Sequence, residues 1–437
     1  MTTRWFLALS AALALPAGAA QAARPPAAPS VVYEVKKGDT FYDLARLYLV
    51  RPAAATEIQR LNRVANPRRL PVGRKLTVPV RLLRSEEIVG KLTAFGGAVT
   101  VRGPGAGDVR KNMDIREGYE LATGANAFLT FELPDGSRTT LPSQSRLRVE
   151  GLRRILLTGA LQRDLKLEAG RSSSVVTPMT DKDSRFRIQT PLTVSAVRGT
   201  QFRVNHDPAA GRSTLEVIEG KVAETRNGAE TLVIAGYGLD TAAQDGGPQA
   251  LLPQPLLSDP GRLQDDQRLD FQLRPQPEAV GYRAQIAPDA GFVDMVAEVS
   301  SGTPALSFET LPNGTFFARF TAIDGSGLEG LPATYAFERR LNALRLEAPV
   351  TMSAGAKEHY LFKWLSTGGA PESFRFVLSR DGGSGRPVID EAGLTAHQIV
   401  VTRLPPGSYS WRVLVSRLED GRIYEKWSPV QQFEIGG

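Results

Sequence analysis

The sequence predicts a mainly β, multidomain protein with one small α+β module at its front. Three observations carry that expectation. A chain of 437 residues exceeds what one hydrophobic core organises, so three or four domains are expected. The 42 glycines and 30 prolines punctuate short β-branched and apolar runs, a texture of strands joined by turns. A pattern of roughly 90 residues also recurs in the C-terminal half.

The first segment reads as a leader rather than as part of the fold. Arg4 supplies a positive start, Trp5 to Leu15 an apolar run, and Ala20-Gln21-Ala22 a small-x-small cleavage site. Residues 1–22 are therefore expected to be a signal peptide cleaved after Ala22. A membrane anchor needs about 20 apolar residues, and this run is shorter. No later stretch is long and apolar enough to span a bilayer, so the expectation is an exported protein of the periplasm or cell wall with no membrane span after cleavage. Cysteine is absent, which excludes a lipid-bearing cysteine behind the leader, disulfide staples and thiol catalysis.

Charge is concentrated near the front. Residues 31–84 hold twelve Lys/Arg against Glu34, Asp39, Asp43 and Glu57, a net of +8, while the whole chain is only +7. Such a window attracts polyanions. Export excludes nucleic acid as a partner and leaves the stem-peptide carboxylates of peptidoglycan. An Arg-rich surface set by codon usage alone is the other reading.

Residues 23–30 are a Pro/Ala linker. Val31 to Val35 alternates as a short strand, and Asp39 or Thr40 caps a helix carrying Phe41, Leu44, Ala45 and Tyr48. A second helix is expected over Ala53 to Asn62 with Ile58 and Leu61 inward. Asn66-Pro67 breaks it, Val72-Gly73 turns, and Lys75 to Pro79 returns as a strand. The result is β-α-α-β within residues 31–80.

Tyr33-x-Val35-x-x-Gly38-Asp39-Thr40-Phe41-x-x-Leu44-Ala45, then Leu61-Asn62, then Asn66-Pro67-x-x-Leu70-x-Val72-Gly73-x-x-Leu76-x-Val78-Pro79 resembles the LysM family over its whole length. The resemblance implies binding of N-acetylglucosamine-containing glycan, and so of peptidoglycan, in a shallow groove. Carried over by position, Gly38, Asp39, Thr40 and Phe41 would line one side. Asn62, Asn66, Pro67 and Leu70 would line the other. Backbone amides and short polar groups suit an acetamido group, and apolar rims suit sugar faces. Capping by Asp39 and Thr40 and turning by Asn66-Pro67 are compatible with that role. The Arg51-Pro52-Ala53 connection departs from the family's polar helix start.

From residue 88 to 240 the texture changes to short strands with turns every 8–12 residues. Phe128 to Leu133 and Arg138 to Leu141 are joined by an Asp135-Gly136 hairpin. Gly118-x-x-Leu121-x-Thr123-Gly124, Leu133-Pro134-Asp135-Gly136-Ser137, Leu167-x-x-Gly170, Thr190-Pro191 followed by Val197-Arg198-Gly199-Thr200-x-Phe202-x-Val204, and Val217-x-Glu219-Gly220-x-Val222 resemble the FecR domain family. The resemblance implies a β-sandwich or roll of the envelope. The family's relay to a cytoplasmic segment is not carried over, because no membrane span is expected here. Gly199 is expected to permit close backbone approach, and Arg198 to tie strands through a carboxylate.

Residues 241–268 read as a polar, Pro-rich linker. Beyond it, Leu269 to Leu273 answers to Tyr360 to Trp364, and Leu311-Pro312-Asn313-Gly314-Thr315-Phe316 to Leu404-Pro405-Pro406-Gly407-Ser408-Tyr409. Tyr335 to Glu338 answers to Gln431 to Glu434. A unit of this size and strand content fits an immunoglobulin-like sandwich. The pair, over 269–340 and 345–435, resembles fibronectin type III domains, with Trp364, Tyr409 and Trp411 in the core.

The residues predict no enzyme, cofactor or metal centre. His206, His359 and His397 are dispersed, with no His-x-His or Gly-x-Ser-x-Gly. The acids Asp135, Glu168 and Glu219 are the fallback for a hydrolase. Glu86-Glu87 and Asp265-Asp266 are expected to be solvated. The function expected is a peptidoglycan-binding scaffold whose C-terminal domains meet an envelope protein. An envelope regulator sensing through the FecR-like domain is the alternative.

Overall fold

Local chemistry builds the front module as expected. The structure is a computed structural model that describes residues 29–436, apart from 244–245, 261–262, 355–356, 370–371 and 381–386. The expected leader and most of the Pro/Ala linker lie outside the described residues. Contacts divide the chain into two units, the first ending at Leu83 and the second beginning at Arg84, apart from Asn227–Ala229.

The first unit runs β1 (Ser30–Glu34), α1 (Phe41–Tyr48), α2 (Ala54–Leu61) and β2 (Lys75–Pro79). β1 and β2 pair antiparallel, from Ser30 opposite Pro79 to Glu34 opposite Lys75. Alternation sends Val31, Tyr33, Leu76 and Val78 inward, against Phe41 and Ala45 of α1 and Ile58 of α2. Thr40 caps α1, its hydroxyl accepting from the Asp43 amide at 3.0 Å. The α2 N-terminus has no side-chain cap, as its Pro-Ala start foreshadows.

Leu61 does not point inward; it is 52% exposed. Ala54 and Ile58, four apart, already occupy the inward face of this eight-residue helix. Arg63 then takes a left-handed φ of 50°, and the bend brings Val64 into the core instead.

The second unit opens with seventeen described strands between Ser85 and Ala250, arranged as two layers over one apolar core that includes Leu129, Phe131, Leu147, Phe186, Phe202 and Val217. The strand Leu161–Val175 belongs to both layers. Its first half lies antiparallel to Arg146–Ile155 and parallel to Arg185–Gln189. Its second half pairs with Gln201–Asp207 and Arg138–Leu141. Gly170 sits at the switch with φ of 74°, where a Cβ would lie 2.4 Å from the Gln144 carbonyl oxygen.

The segment expected as a linker packs instead. Gln249–Ala250 pairs with Tyr237–Asp240, and Leu263–Gln264 adds in parallel to Ala333–Arg339. Leu251, Leu252 and Leu257, scattered among prolines, supply the buried anchors.

Two sandwiches follow, and the mainly β, multidomain architecture stands. In the first, Leu263–Gln264, Ala333–Arg339, Gly314–Asp324, Ala279–Ala287 and Ala297–Ser301 form one sheet. Leu269–Gln272 and Ala305–Phe308 form the other, with Phe271 edge-on to Phe308, Phe320 and Phe337. The second sandwich repeats the plan. Strands beginning at Ala279, Ala305 and Gly314 recur at Glu372, Gln398 and Gly407, each 93 residues later. Trp364, Trp411 and Tyr409 are buried in its core. The Tyr409 hydroxyl donates to the Pro405 carbonyl at 2.7 Å, a tyrosine corner that Phe316 in the first copy cannot make.

Candidate functional site

The two loops expected to hold glycan are tied at their base. The Val35 amide donates to the Arg74 carbonyl at 2.9 Å, and the Gly73 amide to the Val35 carbonyl at 2.8 Å. The loop after β1 is held by Asp39, whose Oδ2 accepts from the Tyr33 hydroxyl at 2.6 Å and the Lys36 amide at 2.7 Å. Burial, with the adjacent Asp39 carboxylate, pushes the Tyr33 hydroxyl pKa well above its ordinary value. Asp39 therefore shapes the loop, and Thr40 rather than Asp39 caps the helix.

The eight expected residues do not share one surface. Gly38 is exposed with φ of 95°, Asp39 is half-buried and Thr40 exposed. Phe41 is only 6% exposed, so its ring belongs to the core and not to a sugar-facing rim. On the other loop, Asn66 and Pro67 are exposed and Leu70 half-buried. Asn66 Oδ1 accepts from the Arg68 amide at 2.9 Å, an Asx turn. Asn62 is knitted inward. Its amide donates to the Ile58 and Thr77 carbonyls at 2.9 and 2.8 Å, and its Oδ1 accepts from the Thr77 amide at 2.7 Å.

Arg74, which no sequence signal singled out, donates to the Asn62 carbonyl at 2.8 Å and closes the end of α2. Within the basic window, Arg81 pairs with Glu57, and Arg46 lies 3.8 Å from Asp43. Lys36, Lys37, Arg60, Arg63, Arg68 and Arg69 are exposed and pair with no carboxylate among the described residues, which leaves the module positive.

In the second unit the acids weighed for hydrolysis are engaged or dispersed. Asp135 pairs with buried Arg163, and Glu168 lies 3.5 Å from Arg148. Glu219 ends its strand, exposed. His206 is buried beside the Ser213 hydroxyl at 2.9 Å, and burial lowers its pKa. His397 meets Glu372 at 2.9 Å, in the other sandwich. Among the described residues no three His, Asp or Glu side chains converge as metal ligands.

Other sequence expectations change here. Asp265 is only 26% exposed, with Lys426 Nζ at 2.6 Å, whereas Asp266, 2.8 Å from the same amine, stays 73% exposed as expected. Glu86 and Glu87 stay exposed as expected, Glu87 beside Arg116 at 2.8 Å and Glu86 3.4 Å from Arg154. Arg198 finds the backbone carbonyls of Asp181 and Lys182 rather than a carboxylate. Gly199 does permit close approach, since a Cβ there would stand 2.6 Å from Pro178 Cα.

A buried charge cluster lies where the FecR-like body meets the first sandwich. Glu329 of the sandwich receives Arg171 at 2.6 Å, Arg203 at 3.3 Å, and Arg283. Arg283 also meets Glu298 at 2.9 Å, and Arg203 lies 3.6 Å from Glu216 of the body. Burial alone would raise the Glu329 pKa, but the three guanidiniums outweigh it and hold it far below the usual carboxylate range. Burial raises the Glu216 pKa, with too little compensation from Arg203 to reverse it.

Against known families, residues 33–79 match the model of the LysM domain and residues 119–223 that of the FecR protein. No protein with a curated description matches. Among solved structures, a candidate anti-sigma factor from Parabacteroides distasonis ATCC 8503 is similar at 19% identity and a TM-score of 0.25, covering 30% of this chain. This chain spans 57% of that protein's length. The chicken CNTN1 FN1–FN3 domains are similar at 11% identity and a TM-score of 0.21, over 66% of this chain and 96% of theirs. A two-domain fibronectin type III segment of chicken tenascin is similar at 14% identity and a TM-score of 0.20, over 40% and 97%.

Proposed function

We propose that this protein is a non-catalytic, wall-bound adaptor of the bacterial envelope. Its front module grips N-acetylglucosamine-containing peptidoglycan, and its β domains present surfaces to an envelope protein. The observation that carries the reading is the LysM match over residues 33–79, on a module whose two loops are tied at Val35. In this reading the backbone around Gly38 to Thr40 and the exposed Asn66-Pro67 turn meet the acetamido groups. Leu70 packs on a sugar face, and Asp39 and Asn62 hold the loops in place. The unpaired arginines add long-range attraction to stem-peptide carboxylates.

Co-sedimentation with purified sacculi tests the reading. Residues 31–80 should pellet with the wall, and a fragment starting at residue 85 should stay in the supernatant. Equal sedimentation of both would overturn the assignment. Raising salt from about 0.05 to 0.5 M should weaken retention of the full chain, because the Debye length shrinks to a few ångströms. Purified protein should release no muropeptides above a heat-killed control; defined release would restore an enzyme.

A second reading, an envelope regulator, rests on the FecR match over residues 119–223. Co-purification of a membrane signalling protein that depends on this region, and persists without residues 31–80, would favour it.

A further inference from the structure

The contact between the FecR-like body and the first sandwich holds more cations than anions. Arg138, Arg171, Arg203, Arg283 and Arg319 face Glu216, Glu298 and Glu329. Ion pairs account for Arg171, Arg203 and Arg283. Arg138 and Arg319 have no carboxylate partner among the described residues.

Arg319 is a half-buried cation whose guanidinium lies 3.8 Å from the centroid of the Phe292 ring. The ring face attracts a cation but does not neutralise it. The nearby Asp289 carboxylate is already committed to the amides of Val293 and Asp294. Burial pushes the Arg319 pKa down to about 10, which still leaves it charged at neutral pH. Asp289 and Glu329 offset part of that burial without forming an ion pair with Arg319, so the site still favours an incoming anion.

Two cavities of about 50 and 60 Å³ adjoin here, both bordered by Ser173, Gln201 and Arg319. The second is lined by Arg138 and by apolar Val175 and Met295, with no acidic residue. The side chains of Ser173 and Gln201 make no hydrogen bond within the described chain, so their donors are available.

We propose that this interdomain cleft binds the carboxylate of a small organic acid or peptide C-terminus, with Arg319 as its main partner. The planar guanidinium matches a carboxylate in bidentate geometry. Ser173 and Gln201 donate to the same oxygens, and Arg138 supplies a second positive charge. Val175 and Met295 receive a short apolar stem, which selects an organic acid over inorganic phosphate. Bridging the two domains, the ligand tightens a contact whose other ion pairs are already satisfied.

Calorimetric titration of the full mature protein with propionate, the dipeptide Ala-Ala and inorganic phosphate tests the site. Both carboxylates should bind and phosphate should not. Tighter binding of the dipeptide identifies a peptide terminus; equal binding identifies a free acid. Arg319→Gln should weaken the carboxylates at least about tenfold, and Arg138→Gln less, with circular dichroism unchanged. If Arg319→Gln fails to fold, Arg319→Lys and Arg138→Gln decide, since unchanged affinity in both overturns the proposal. It is equally overturned if neither carboxylate binds, or if phosphate binds better than both.

Discussion

Asn62 and Asn66 stand four residues apart, carry the same side chain and do different work. The three hydrogen bonds of Asn62 join the end of α2 to β2, whereas Asn66 closes one exposed turn. Asn62→Ala removes the bonds to the exposed Thr77 amide and carbonyl and the one to Ile58, and should lower the stability of residues 31–80 by about 0.5–1.5 kcal/mol. Asn66→Ala, on the surface, should cost within about 0.5 kcal/mol. It should nonetheless reduce sacculus retention, alone and more so combined with Asp39→Ala. Thermal melting and sedimentation of each variant check this; a stability loss from Asn66→Ala matching that of Asn62→Ala would refute the division of labour. The motif spacing placed both asparagines in the loop but carried no information about which way each amide points. Phe41 shows the same limit, since helical periodicity already allotted it to the inward face.

At the scale of elements, alternation made most strands legible and polar runs hid the rest. The run Arg171-Ser172-Ser173-Ser174 shows no apolar alternation, yet the ladder of Leu161–Val175 continues through it to Val175. Ser172 and Ser174 are buried, and Ser174 shares a hydrogen bond with Thr139 at 3.0 Å, so hydroxyls replace apolar side chains between the layers. The register change at Gly170 is what lets one strand serve two sheets. Gly170→Ala combines positive φ with contact to Gln144 and Ser145 backbone, and should destabilise the FecR-like body by more than about 1 kcal/mol. Hydrogen exchange along residues 161–175 reads it: protection should fall on both sides of the switch, and loss on one side alone would mean that the halves fold as separate strands. In the second sandwich, Tyr409→Phe removes the bond to Pro405 while keeping the ring, and should cost about 0.5–1.5 kcal/mol. A melting curve unchanged from the parent would show that the corner contributes nothing. The 93-residue recurrence was readable because paired aromatic motifs start equivalent strands, whereas the short strands Gln249–Ala250 and Leu263–Gln264 were masked by the prolines around them.

Across the whole molecule, the cluster around Glu329 joins two domains whose sequences show no sign of it. Arg171 and Glu329 lie 158 positions apart, and no short motif links them. Near-neutral charge outside the basic window gave no hint that part of it is buried and paired. Glu329→Gln leaves Arg171 with no carboxylate and takes one from Arg203 and Arg283, which keep Glu216 and Glu298, and should weaken the domain contact by about 3–5 kcal/mol at pH 7. Glu216→Gln should cost far less, because burial already disfavours the Glu216 charge and its link to Arg203 is long at 3.6 Å. The pH dependence separates the two acids. The Glu329 pKa is depressed in the folded state, so its stabilisation is present above about pH 4.5 and lost as pH falls below that value. The Glu216 pKa is raised, so its ionisation opposes folding as pH climbs above about 4.5. Hydrogen exchange of the facing strands 201–207 and 279–287 is the suitable readout, because it reports this contact without requiring the whole chain to unfold. The gap between parent and Glu329→Gln should be widest near pH 7 and narrow toward pH 3. A gap that stays constant with pH, or a Glu216→Gln loss as large as that of Glu329→Gln, would show that the cluster does not hold the domains together through its charges.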